Sequence, residues 1–443
     1  MIEELGLDDP NIDQWSTNDN AANMIKSIRE SIYLQQYLCD IHTLQLGIND
    51  AFKDVDGMSN VLNKSKALAA FTHKSNVGLQ NLKSACKVKG KAFKKLKNPG
   101  DTRWNGKYTN MESILYLKDV LQSLFIEDED LWGPFIFTGS DWKLLLGAVT
   151  VLKPFLVATK VLEAEKVPTI NSSIEQIYTL HEHLHGFVSN PSNCSYGITF
   201  ARALKKRLLE RFPSCGMTVF EKCVANYLDP RFMGLHLTSW GKLEDIKSKM
   251  ERKWNVVDDE EGLRVPVNPE LSPTSKLLQR SRLARAAGGG LSKIKKEMAT
   301  YESFSFASRK CDVLAWWKAH EEHLPVLAKI ARKILAIPAS SAKSERVFST
   351  GGLVFTAKRG RLSPSKVDDL ILLKLNLSRV RDFLAATTYK VEAGGHNAFQ
   401  NIIVHVTEGA DPVEAEDVND DMYDLEGDDE NEDENQDEEI VML

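Results

Sequence analysis

The chain has no CxxC pair: its six cysteines, Cys39, Cys86, Cys194, Cys215, Cys223 and Cys311, are scattered over 443 residues. That spacing suggests neither a zinc-finger module nor a disulfide framework, so reduced and partly buried thiols are expected. No uninterrupted apolar run reaches about eighteen residues, the length of a membrane span. Met1-Ile2-Glu3-Glu4 does not open a signal peptide either. A soluble intracellular protein is expected, with no membrane partner and no small-molecule substrate. No internal repeat is visible.

Basic residues are missing from Asp411 to Leu443, a stretch that holds 17 of the 62 acidic residues. Residues 1–410 therefore carry 56 basic against 45 acidic side chains, a net of +11, although the whole chain sums to −6. A basic body suits a polyanion such as DNA, because neutralising phosphates releases counterions. Asp411 to Glu439 is too poor in apolar residues to fold, and the tail, 391–443, is expected to be disordered. It serves either as a solvating segment or as a competitor with DNA for the basic body. The remainder, in a chain that is 42% apolar and 27% charged, has an ordinary globular composition and length enough for two or more domains.

The most informative stretch runs from Leu324 to Leu384. Leu324, Leu327, Ala328, Ala331, Ile334 and Leu335 recur at the spacing of one apolar helix face. Pro338 stops that helix, Ser340 or Ser341 can cap a second one that carries Glu345, and Gly351-Gly352 is expected to end it. A third helix begins at Ser363-Pro364. From Val367 it is apolar on more than one side, through Leu370, Ile371, Leu373, Leu377, Val380 and Leu384. Its second side needs cover, from another copy of the chain or from this chain's own helical middle.

Four further segments carry candidate chemistry. Ile12 to Thr17 reads as a strand ending near Asp19, within IDQWSTNDNAANM, and a helix is expected over 21–32. Taken alone, Asp19 is an N-cap aspartate. In YLCDIHTLQL, Cys39 and His42 are three apart, half of a metal-ligand pattern without a second half. Seven lysines, Lys83, Lys87, Lys89, Lys91, Lys94, Lys95 and Lys97, occur with no acidic residue among them. They form either a phosphate-facing strip or a solvated face. Asp101-Thr102-Arg103-Trp104-Asn105 follows, where Trp104 read alone is a core aromatic. From Tyr108 to about His320 the pattern is helical. His181, His183 and His185 cannot share one helix face, which argues for a solvated helix and against a metal cluster. Asp229 in VANYLDPRF takes a structural role, 258–290 reads as a linker, and Trp316-Trp317 is expected to pack where the helical middle ends.

SERVFSTGG, KRGRLSP and VDDLILLKLNL in succession resemble the C-terminal dimerisation region of the hAT superfamily of DNA transposases. DNAANM, the CxxH block, TRWN and LDPRF also resemble family blocks, and DNAANM, CxxH and SERVFS follow one another in the family's order. The resemblance implies an α/β fold, mostly α overall: an N-terminally truncated RNase H-like core (1–106), a large all-helical insertion (107–311), and a C-terminal helix with the dimerisation region (312–390). It implies that Asp19 and Glu345 are two carboxylates of a DDE site, with Cys39 and His42 supporting them. Lys91, Lys94, Lys95, Arg103 and Trp104 would face DNA, the indole stacking on an unpaired base.

The family's first carboxylate lies upstream of the DNAANM block and is expected to be absent here, as is a BED-type finger. Magnesium or manganese is then a cofactor only where the site is complete. The resulting expectation is a truncated, homodimerising, DNA-binding nuclear protein without catalysis on its own. A fragment of an active transposase and a domesticated nuclear regulator are the alternatives.

Overall fold

The computed structural model describes residues 14–19, 26, 34–100, 103–254, 292–354, 363, 366–374, 376 and 377. The expected helix over 21–32, apart from Lys26, lies outside these residues, as do the whole 258–290 linker, the tail, Val380 and Leu384. Residues up to Gly360 form one compact unit and those from Arg361 a second.

In the first unit, β1 (Gln14–Asn18) and β2 (Leu34–Leu38) pair in parallel, with Trp15 opposite Gln35 and Asn18 opposite Leu38. These are the only strands among the described residues, which are otherwise mostly helical. Parallel neighbours need a crossover segment between them.

β2 leads into α1 (Asp40–Asp54), followed by α2 (Met58–Lys74) and α3 (Asn76–Val88). Next come α4 (Trp104–Tyr116), α5 (Lys118–Glu127) and α6 (Gly139–Leu162). α6 is long and apolar enough to cross a membrane by length and composition. Here it is the centre of the core: Leu145, Ala148, Val151, Leu152 and Phe155 are fully buried, and α4, α7 (Ile170–Ser189) and α8 (Ser195–Arg211) pack around it. α6 and α8 cross at Gly147 and Gly197. A Cβ on Gly147 would stand 2.7 Å from the Gly197 backbone, so the two helices could not approach so closely with any larger residue.

α8 also packs on α1. Phe52 stacks on Phe200 at 5.4 Å, and Arg207 grips Asp54 through Nε and Nη2 at 2.6 and 2.7 Å. α9 (Phe220–Tyr227) and α10 (Leu243–Trp254) complete the helical middle. One apolar cluster runs without interruption from Tyr37 to Ala339.

Buried polar groups tie the helical middle to the strands. Asp40, 1% exposed, accepts hydrogen bonds from Ser173 Oγ (2.6 Å) and Tyr37 OH (3.0 Å) and is ion-paired with the buried Lys222. Burial, then the Asp40 charge, drives the Tyr37 phenol well above its ordinary range. Asp229 is fully buried, holding Arg231 and accepting from Asn171 Nδ2 at 2.7 Å, which is the structural role expected of it. His183 is less solvated than its sequence suggested: its ring is half-buried, with Nε2 3.2 Å from the Val151 carbonyl.

After α11 (Lys293–Glu302) and α12 (Val313–Ala319), Trp317 stacks on Tyr301 and donates to the Leu228 carbonyl at 2.8 Å. α13 (Pro325–Leu335) buries Leu327, Ala328, Ala331, Ile334 and Leu335, the apolar face read from the sequence. α14 (Ala342–Val354) carries Glu345 but does not stop at its glycines. Gly351 and Gly352 lie inside the helix, because glycine permits a left-handed turn without imposing one.

In the second unit, residues 366–374 are helical. Val367, Leu370, Ile371 and Leu373 are half-buried, as is Leu377, and Leu372 is 64% exposed.

Candidate functional site

The start of α14 is tied to the ends of both strands by backbone bonds that no local pattern dictates. Cys39 N donates to the Asn18 carbonyl (2.8 Å) and Asp40 N to that of Ala339 (2.9 Å). Thr17 Oγ1 donates to Pro338 O at 2.8 Å, and Ala339 N donates to Thr169 Oγ1 at 2.9 Å. Cys39, 1% exposed, is the N-cap of α1. Its Sγ accepts from His42 N and from Ser341 N, both at 3.4 Å, so one sulfur holds the beginnings of two helices. Those two bonds use the sulfur as an acceptor and give CxxH a structural purpose without metal.

Around this junction opens a cleft of about 670 Å³, within the range of ligand-binding clefts. Asp19, Cys39, His42, Arg103, Trp104 and Glu345 all line it, bringing together residues from four separated sequence blocks. Glu345 Oε1 accepts from Ser341 Oγ and Oε2 from Arg103 Nη2, each at 3.0 Å. The side chains of Arg103 and Glu345 are each 47% exposed, so the pair is wet.

Trp104 behaves differently from a stacking residue. It is 1% exposed, packed edge-on against Tyr108, and its Nε1–H is buried without a hydrogen-bond partner. The indole opens α4 and is absorbed into the core under it, so its face is not offered to a base.

Two cleft residues escaped the sequence reading. Glu163, at the C-terminal end of α6, is held above the usual carboxylate range by burial and further raised by Glu345, against the opposing charges of Arg346 and Arg103. Phe348, one turn after Glu345 on α14, is 79% exposed. Nothing local marks either one, since only the fold sets the end of α6 beside α14.

Asp19, Glu163 and Glu345 supply carboxylates, but among the described residues no three His, Cys, Asp or Glu side chains gather closely enough to hold an ion. A guanidinium already occupies the charge of Glu345. The arrangement fits an ion pair better than a two-metal clamp, which needs converging free carboxylates.

None of the seven lysines lines the cleft. Lys91 and Lys94 gather over the Tyr116 ring at 5.0 and 4.6 Å, and Lys91 is paired with Asp119. Lys83, Lys87, Lys89 and Lys95 are exposed.

Comparison with known proteins bears on the same blocks. Residues 293–377 match the hAT family C-terminal dimerisation region. A putative AC transposase of Zea mays is 23% identical over 418 residues, covering 87% of this chain and 50% of that protein. The zinc finger BED domain-containing protein DAYSLEEPER of Arabidopsis thaliana is 26% identical, covering 68% and 42%. A putative transcriptional regulator, tpeD, of Talaromyces stipitatus is 24% identical, covering 61% and 31%. The chain thus spans half or less of the length of these curated relatives. SERVFSTGG and VDDLILLKLNL both lie inside the matched region, so residues 293–377 are similar to the hAT family C-terminal dimerisation region and the chain as a whole is similar to hAT-type proteins.

Proposed function

We propose that this chain is a homodimerising, DNA-binding protein of the nucleus that seats DNA in the Asp19–Glu345 cleft and does not cut strands on its own. The observation that supports this most is the ion pair between Arg103 and Glu345, 242 residues apart in sequence, in a cleft also lined by Asp19 and His42. Arg103 is the cleft's phosphate-binding group: its planar fork has further donors beyond the one given to Glu345. Glu345, neutralised by that arginine, is poorly placed to hold magnesium or manganese. β1, β2, α1 and α14 are read as the part of an RNase H-like core that this chain contributes, a reading that rests on family likeness.

The dimer is assigned to residues 293–377, in which the helical stretch 366–374 holds Val367, Leu370 and Ile371 half-buried on one side and carries the exposed Leu372 on another. An apolar helix side of this kind suits an isologous contact with a second copy.

The test is binding of a short fluorescent duplex across a salt series. A linear fall of log affinity with log salt is expected, and replacing the exposed Lys89, Lys94 and Lys95 by Glu should flatten that slope. Affinity independent of salt would overturn the DNA assignment. In a strand-cleavage assay with magnesium or manganese no turnover is expected, and metal-dependent nicking abolished by Glu345→Gln would show a working catalytic site. A regulatory role is the second reading, favoured by the likeness to a protein named as a transcriptional regulator. Sequence-selective duplex binding, with no preference for DNA ends, would separate it from the first.

A further inference from the structure

We infer that Phe348 is the cleft's platform for an unpaired base. This rests on the DNA-binding reading above and names the part of DNA the cleft takes. Among the described Phe and Trp residues, Phe348 is the most exposed, at 79%, and it lies on the wall of the cleft that also holds Arg103 and Glu345. Glu345 and Phe348 are three apart on α14 and so project to the same side of that helix. The ring therefore stands beside the carboxylate that Arg103 grips. A hydrophobic ring left in water next to a guanidinium fits a ligand with one flat apolar part and one anionic part joined by a short linker. An unpaired nucleotide has both: the base lies on the ring and the phosphate goes to Arg103.

Inside a duplex no base offers a free face to the ring, because paired bases are stacked on each other. The other aromatic of the cleft, Trp104, is enclosed against Tyr108 and cannot take this part without leaving the core. Stacking on an aromatic side chain is tolerant of base identity, since every base has a π-face. The site therefore distinguishes paired from unpaired DNA and does not select a sequence.

The experiment compares a short blunt duplex with the same duplex carrying a few unpaired nucleotides, one of them a fluorescent aminopurine. Wild-type full chain is expected to bind the overhang form about tenfold more tightly and to quench the reporter, the size of effect that one stacked base gives. Phe348→Ala should erase both the preference and the quenching. Phe348→Tyr should keep both and Phe348→Leu should lose the quenching. Circular dichroism of each variant checks that α14 remains folded. Retention of the overhang preference in Phe348→Ala overturns the inference, and so does conversion of a dimer to a monomer by that substitution, which would place the ring in a protein interface. Failure to bind either probe would instead strike at the DNA-binding reading itself, whereas blunt binding with no gain from the overhang removes only the role of Phe348.

Discussion

Arg103 Nη2 lies 3.0 Å from Glu345 Oε2, joining the residue before α4 to the first turn of α14. Because both side chains are half-exposed, the pair adds little to stability, within about 1 kcal/mol. Arg103→Gln should therefore leave the urea midpoint nearly unmoved, yet lower duplex affinity about tenfold if Arg103 binds phosphate. A large loss of stability with unchanged affinity would make the pair a clasp instead.

Glu163 gives a pH dependence whose sign follows from burial. Its raised value means that the folded chain favours the protonated carboxyl. The stability linked to it is full below the ordinary carboxylate value of 4.5 and is lost as pH rises through the raised value. The melting temperature of Glu163→Gln, measured against wild type, should therefore climb between about pH 4 and pH 7. A constant difference across that range would contradict the assignment.

Asp40 and Lys222 form a buried pair that links α1 to α9, and removing one partner leaves an uncompensated charge inside the core. Asp40→Asn or Lys222→Met should each cost about 3–5 kcal/mol in denaturant unfolding, and the double variant less than the sum. Additive losses would show that the two groups do not depend on each other.

Assembly is read most directly by sedimentation at micromolar concentration. Wild type should run as a dimer, and Leu373→Asp with Leu377→Asp should give a monomer or an aggregate. A wild-type chain that sediments as a folded monomer would remove the dimer, leaving the half-buried Leu370 and Ile371 to cover from within one copy.

The apolar stripe of α13, the strand before Asp19, the structural place of Asp229 and the packing of Trp317 were all legible in the sequence. They depend on periodicity, on turn chemistry and on large aromatic surface, which are properties of neighbouring residues. The order of the DNAANM, CxxH, TRWN and SERVFS blocks also singled out the residues that line the cleft.

Other features belong to the tertiary structure alone. Glu297 on α11 caps α13 from outside, accepting from Val326 N and Leu327 N at 2.8 and 2.9 Å, where α13 has no side-chain cap of its own. Gly351 and Gly352 look like a helix end and are not one, since glycine leaves the backbone free to follow the rest of α14. Trp104 and Phe348 are each the one aromatic of a recognisable block, TRWN and SERVFS, yet one is 1% exposed and the other 79%. The sequence named Asp19, Cys39, His42, Arg103, Trp104 and Glu345 through blocks that can be recognised one by one, and left out Glu163 and Phe348. Which of them faces solvent, and which carboxylate stands next to which arginine, was decided by how α4, α6 and α14 pack, because burial and ion pairing depend on segments more than a hundred residues away along the chain.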